Sequence, residues 1–157
     1  NAEIRDIGEL ATIEYLYTDA GKFEDPAELF GKEIPFSFTT KSFIAKWDGS
    51  IKAGVDISKV TAEVNGTKKE IVVHIPKAEI LSHELSEDSV EVFAERTSIF
   101  NPFRVEDFTA FQAGQKAVME EKAVTQGLLT EAREKAAEQV RLLLGAVLPE
   151  DASLTVT

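Results

Sequence analysis

His74 and His83 are the chain's whole stock of imidazole bases and ligands, and cysteine is absent. Glu84 follows His83 directly, with Glu79, Glu87 and Asp88 nearby, so an acid/base pair or a hydrolytic metal site is the chemistry this cluster could do. Such a site needs ligands converging on one point, as two histidines one helical turn apart do, and no such spacing occurs. A solvated acidic turn explains the same run. His74, in I-V-V-H-I-P, is opposite in phase to Ile71, Val73 and Ile75; it should point away from the better-buried face, in a structural or surface role. Gly49, Gly54 and Gly66 lack a nucleotide-loop spacing, and no G-x-S-x-G occurs. His83, Glu84 and Asp88 are therefore the candidates for a hydrolase reading, and no metal or cofactor is expected.

The other notable side chains are aromatic. Ten phenylalanines stand against one tryptophan and two tyrosines, and Phe100, Phe103, Phe108 and Phe111 gather around Asn101-Pro102. Four rings there would pin helices onto a sheet as core. Alternatively they form an apolar contact surface, a groove for a partner or lipid, which an exposed apolar patch would favour.

The elements that must position these residues are legible from periodicity. Residues 10–18 alternate, with Ala11, Ile13, Tyr15 and Tyr17 in one phase, as a strand does. Asp25-Pro26 through Gly31 suits a short connector helix, with a capping residue, proline at the first helical position and glycine past the end. Within residues 47–81, apolar alternation is punctuated by Asp48-Gly49, Asn65-Gly66 and Pro76. Phe43, Ala45 and Trp47 share odd parity with Ile51, Ala53, Val55 and Ile57, so a hairpin between them needs an odd loop; a bulged three-residue turn with Gly49 left-handed is expected. Val60, Ala62 and Val64 against Ile71, Val73 and Ile75 require an even loop instead, either Asn65-Gly66 alone or four residues over 65–68. Pro76 closes that strand. Residues 78–81 and 89–96 add further extended segments around the acidic turn Ser86-Glu87-Asp88.

After Phe100 the texture becomes helical. Residues 105–148 are rich in Ala, Glu, Gln, Lys and Leu, with Leu129, Ala132, Ala136, Val140, Leu143 and Val147 three or four apart. Glu131 and Lys135 form an i,i+4 pair. One straight helix would run about 60 Å, whereas a compact domain of this length is roughly 40 Å across. The helix must break, kink or project, and Gly127 is the place for it. Two helices are expected, the second laying its alanine face on the sheet. Leu154 and Val156 then alternate in a last edge strand. The fold class is α+β: a largely antiparallel sheet of about six strands, mainly over 9–98, packed against two C-terminal helices, mainly over 105–148. No repeat or linker divides the chain, so residues 1–157 read as a single domain.

Composition bounds the partners. A net charge of −11 with scattered basic residues repels phosphate backbones, so nucleic acid is not expected. No apolar run approaches the roughly 20 residues of a bilayer helix. The chain starts Asn1-Ala2 and its only methionine is Met119. It therefore reads as a fragment, with Asn1 and Ala2 compatible with a tag remnant and a signal or membrane anchor left out ahead of it.

The blocks E-L-A-T-I-E-Y (9–15), W-D-G-S-I-K-A-G-V-D-I-S-K-V (47–60), I-P-K-A-E-I-L-S-H-E (75–84), F-N-P (100–102) and G-L-L-T-E-A-R-E-K-A (127–136) together resemble an uncharacterised bacterial family, domain of unknown function 4230. That resemblance implies a domain behind an N-terminal hydrophobic segment, on the extracytoplasmic face of a membrane, with membrane contact only through the missing segment; the sequence leaves room for a protein partner without identifying one. It lends no residue a catalytic label. The resulting reading is a non-catalytic, membrane-tethered interaction domain, leaning away from an enzyme. Its rivals are a membrane-associated scaffold subunit loosely similar to band-7 proteins, supported if the helix runs on through Gly127, and a hydrolase centred on His83.

Overall fold

A computed structural model describes residues 13–29, 31–34, 37–67, 69–149 and 151–157. Along the chain these form β1 (Ile13–Asp25), β2 (Glu28–Leu29), β3 (Lys32–Glu33), β4 (Lys41–Gly54), β5 (Thr61–Asn65), β6 (Glu70–His74), β7 (Glu79–Leu85), β8 (Glu91–Arg96), α1 (Val105–Thr125), α2 (Leu128–Gly145) and β9 (Ser153–Val156). This is the α+β class expected, with mostly antiparallel strands, two helices near the C-terminus and a closing strand. Asn1, Ala2 and the expected start of the first strand at 9–12 lie outside the described residues. In one sheet the strand order is β1-β4-β7, with β8 also paired to β4; β5-β6-β9 form another. The residues group into two compact units: 16–50 with 84–122, and 51–83 with 123–157 and the start of β1.

The first unit is aromatic. In β4, Lys41, Phe43, Ala45, Trp47 and Gly49 are buried while Ile44, Lys46 and Asp48 are exposed, and the alternation continues unbroken through Ile51 and Ala53. The bulged hairpin expected at Asp48-Gly49 is therefore absent. Equal parity on both sides of a glycine is satisfied by an odd loop or by no turn at all, and here the strand runs straight through. Gly49 is needed for space instead, since a Cβ there would lie 2.3 Å from the Tyr17 ring and hydroxyl. Gly21 of β1 makes similar room, with the Phe111 ring 2.8 Å and the Trp47 ring 3.0 Å from where its Cβ would stand. Asp48 is knitted in mid-strand: Thr18 Oγ1 donates to its carboxylate at 2.6 Å, its N–H donates to Ser89 Oγ at 2.8 Å, and Ser86 N–H donates to its carbonyl at 2.9 Å. β8 pairs antiparallel with β4 from Ser42↔Arg96 to Lys46↔Glu91, with a register shift between Ile44 and Ala45.

The connector helix expected over 25–31 is also corrected. Glu28 pairs with Glu33 and Leu29 with Lys32, a two-strand ribbon. Gly31, at φ +73°, serves its turn rather than a helix end; a left-handed glycine marks either motif, so the sequence signal was degenerate.

The second unit is aliphatic. β5 and β6 pair antiparallel from Thr61↔His74 to Asn65↔Glu70. The loop is even, as parity required, but its four residues are 66–69 and the left-handed position falls on Lys69, at φ 51°. β9 joins β6 in parallel, Glu70↔Ser153 to Val73↔Val156, and Lys69 is ion-paired with Asp151. Val55, Ile75 and Ala136 form the core, flanked by Ile57, Ala78, Ala137, Val140 and Val156. The helix breaks where expected, with Gly127 at φ +97° between α1 and α2. Ala132 and Ala136 are buried as expected, yet Leu143 and Val147 of the same stripe are 67% and 75% exposed, so the covered face ends near Val140. Lys135 pairs with Glu138 at 2.8 Å. No helix among the described residues is long and apolar enough to cross a membrane.

Candidate functional site: an apolar pocket in the aromatic unit

The site is built where α1 meets the start of β4 and the end of β1. Arg104 caps α1, its N–H donating to Asp107 Oδ2 at 2.7 Å, the backward half of a capping box. From there Phe108, Phe111, Gln115 and Met119 recur at helical spacing, and Met119 is fully buried. Phe43 is the hub of the rings. It stacks on Phe23 at 5.1 Å and on Phe108 at 4.9 Å, meets Phe111 edge-on at 5.0 Å and Phe103 at 5.7 Å. Trp47 meets Phe111 edge-on at 5.5 Å. These separations suit the ring quadrupole, and such pairs add to simple burial.

A lysine is buried at the edge of this cluster. Lys41 is 3% exposed; its ammonium reaches Asp107 at 2.7 Å, Asp25 at 3.0 Å and the Pro102 carbonyl at 3.5 Å, which occupies all three donors. Burial pushes its pKa down, but hydrogen bonds and charge from Asp107 and Asp25 outweigh this and leave it raised. The Lys41 hydrogen bond in turn holds Asp107 below the usual carboxylate value. Tyr17 is raised, chiefly by burial, against a lowering influence of the Trp47 indole. Among the described residues Trp47 Nε1 is buried without a hydrogen-bond partner.

Between sheet and helix lies a pocket with an inner volume of about 50 Å³. Phe43, Ala45, Trp47 and Leu85 form one side, with Val90 and Val92 at the rim. Phe108, Phe111, Gln112 and Gln115 of α1 form the other. On a scale where one water needs about 10–15 Å³ and a benzene ring fills a cavity of about 150 Å³, this space suits one small aliphatic group. Gln112 and Gln115 supply the polar lining, each able to donate and accept.

Of the four phenylalanines singled out by sequence, Phe103, Phe108 and Phe111 come together here, and Phe100 does not: it is 75% exposed. His83 is half-buried on β7 and Glu84 exposed, as successive strand residues face opposite ways. Asp88 is exposed in the 3-10 turn Glu87–Ser89. Among the described residues no group of three or more His, Asp or Glu is placed to hold a metal ion. His74 is exposed, with Nδ1 2.7 Å from Thr157 Oγ1, bracing β6 and the segment after β9. Lys41 was missed by sequence reasoning, although its phase with Phe43 and Ala45 was the available signal: two residues before a buried ring, it had to face inward. Gln112 and Gln115 carried no signal, since glutamines in a helix read as surface.

Fold and site together define an α+β protein with an aromatic-walled apolar pocket beside a buried lysine clasp. A family model described as "Protein of unknown function (DUF4230)" matches residues 2–152, and the chain belongs to that family. No curated protein and no solved structure was found to match.

Proposed function

We propose that this chain is a non-catalytic interaction domain, held on the extracytoplasmic face of a bacterial membrane, that accepts one apolar group of a protein partner in the aromatic pocket. The observation that carries this reading is the pocket itself: buried rings on the sheet side, Phe108 and Phe111 on the helix side, an inner volume of about 50 Å³ and two glutamines at the helix wall. An apolar anchor fills such a space, and the amides suit the backbone beside it, the usual division between an interface's buried centre and polar rim. The chain's single tryptophan, Trp47, lines the pocket and reports its occupancy. N-acetyl-valine amide should shift Trp47 emission saturably, and Val92→Phe at the half-exposed rim should abolish that response. An unchanged response in that variant refutes the pocket as binding site. The membrane placement rests on the resembling blocks; protease added outside intact cells should cleave the full-length product, and protection would refute it.

The band-7-like scaffold has less support, because the chain turns at Gly127 and Ala132 and Ala136 of α2 are buried within the aliphatic unit. The hydrolase reading would need His83 and a carboxylate converging in one cleft.

A further inference from the structure

Residues 96–104, R-T-S-I-F-N-P-F-R, contain a feature unrelated to the pocket. Ser98 to Asn101 is a tight turn, Asn101 N–H donating to the Ser98 carbonyl at 3.1 Å. Its base is secured: Ser98 is 5% exposed, its hydroxyl accepts from Phe100 N–H at 3.2 Å, and Asn101 Nδ2 donates to the Asp25 carbonyl at 2.9 Å. The two central positions, where turns favour Gly, Pro, Asn, Asp or Ser, are Ile99 and Phe100, 97% and 75% exposed. Three positions on, Phe103 turns inward to Phe43, so the segment sorts its apolar residues, one in and two out. Arg96 and Arg104, both exposed, flank the tip in a chain of net charge −11.

We propose that this turn is a membrane-interface contact: Ile99 and Phe100 insert at the boundary between headgroups and acyl chains, and Arg96 and Arg104 hold anionic lipid phosphates. A projecting apolar turn on a fixed base matches a soft apolar layer, which needs no complementary cavity. The guanidinium fork matches phosphate geometry, and placing two arginines beside the tip offsets locally the repulsion that an acidic chain feels near an anionic surface. The assignment is independent of the pocket.

Because the chain lacks cysteine, Ile99→Cys or Phe100→Cys labelled with a polarity-sensitive nitrobenzoxadiazole reports the tip alone. On vesicles of equal phosphatidylglycerol and phosphatidylcholine its emission should shift to the blue and brighten, and the unlabelled chain should float with them. Ile99→Ser with Phe100→Ser should lower the bound fraction about tenfold or more without moving the thermal midpoint. Arg96→Gln with Arg104→Gln should remove the preference over pure phosphatidylcholine. Absence of flotation, equal flotation of the serine variant, or self-association in place of vesicle binding would each overturn the proposal, the last assigning the tip to a protein contact.

Discussion

The two units solve the same problem with different materials. In the aromatic unit, Phe43, Ala45 and Trp47 collect Tyr17, Phe23, Leu85, Phe103 and Phe111, and glycines at 21 and 49 open the space those rings occupy. In the aliphatic unit, Val55, Ile75 and Ala136 form a small core on which alanines bring α2 close, and Gly66 has nothing within 4 Å of where a Cβ would be. Between the large rigid rings and the helix lies a small, mainly apolar space. The aliphatic unit instead carries a wider, more polar groove lined by Lys77, Ala78, Leu129, Thr130, Arg133 and Glu134.

That contrast can be broken or sharpened by substitution, beginning with the hub. Phe43→Ala removes the ring touched by Phe23, Phe103, Phe108 and Phe111, and should cost about 3–5 kcal/mol in denaturant unfolding. Lys41→Met should cost about 2–3 kcal/mol, below the full penalty of a broken buried pair because Asp25 is 44% exposed. Its pH signature is specific. Asp107 is depressed in the folded state, so its contribution is present above the ordinary carboxylate value and lost as pH falls through the depressed one. Lys41 is raised, so its contribution is present below the ordinary lysine value and lost as pH rises through the raised one; the variant should flatten both limbs.

In the aliphatic unit, Ala136→Leu should cost about 1–3 kcal/mol by overpacking a site 1% exposed. The smallest test pairs two glycines. Gly49→Ala should cost about 1–2 kcal/mol because the Tyr17 ring must give way, and most of that should return in the background of Tyr17→Ala. Gly66→Ala should stay within about 0.5 kcal/mol of neutral. Equal effects at the two glycines would remove the distinction between a socket and a surface loop.

Much of the fold was legible because periodicity is local. The burial phase of β4, the even loop after β5, the break at Gly127 and the buried alanines of α2 all follow from residue spacing. Errors arose where one local signal served two structures. Asp48-Gly49 carries the composition of a turn, yet Tyr17, distant in sequence, converts the glycine into a receptor for its ring. The segment 25–31 has the marks of a capped helix, yet Leu29 and Lys32 pair as strands. Site residues divide along the same line: Phe103, Phe108 and Phe111 announced themselves by clustering, Phe100 belonged to that cluster in sequence alone, and Lys41 became visible through the partners that neutralise it.

By itself the sequence determined the fold class, most strands and both long helices, the burial phase of β4 and the family, since each depends on residues near one another or on their order. Tertiary structure alone decided that β4 passes unbroken through Gly49, that the rings leave a pocket, that Lys41 is clasped between Asp25 and Asp107, and that Ile99 and Phe100 stand bare. The reason is physical: each of these depends on which distant side chain occupies, or leaves empty, a particular volume, and no local spacing encodes that.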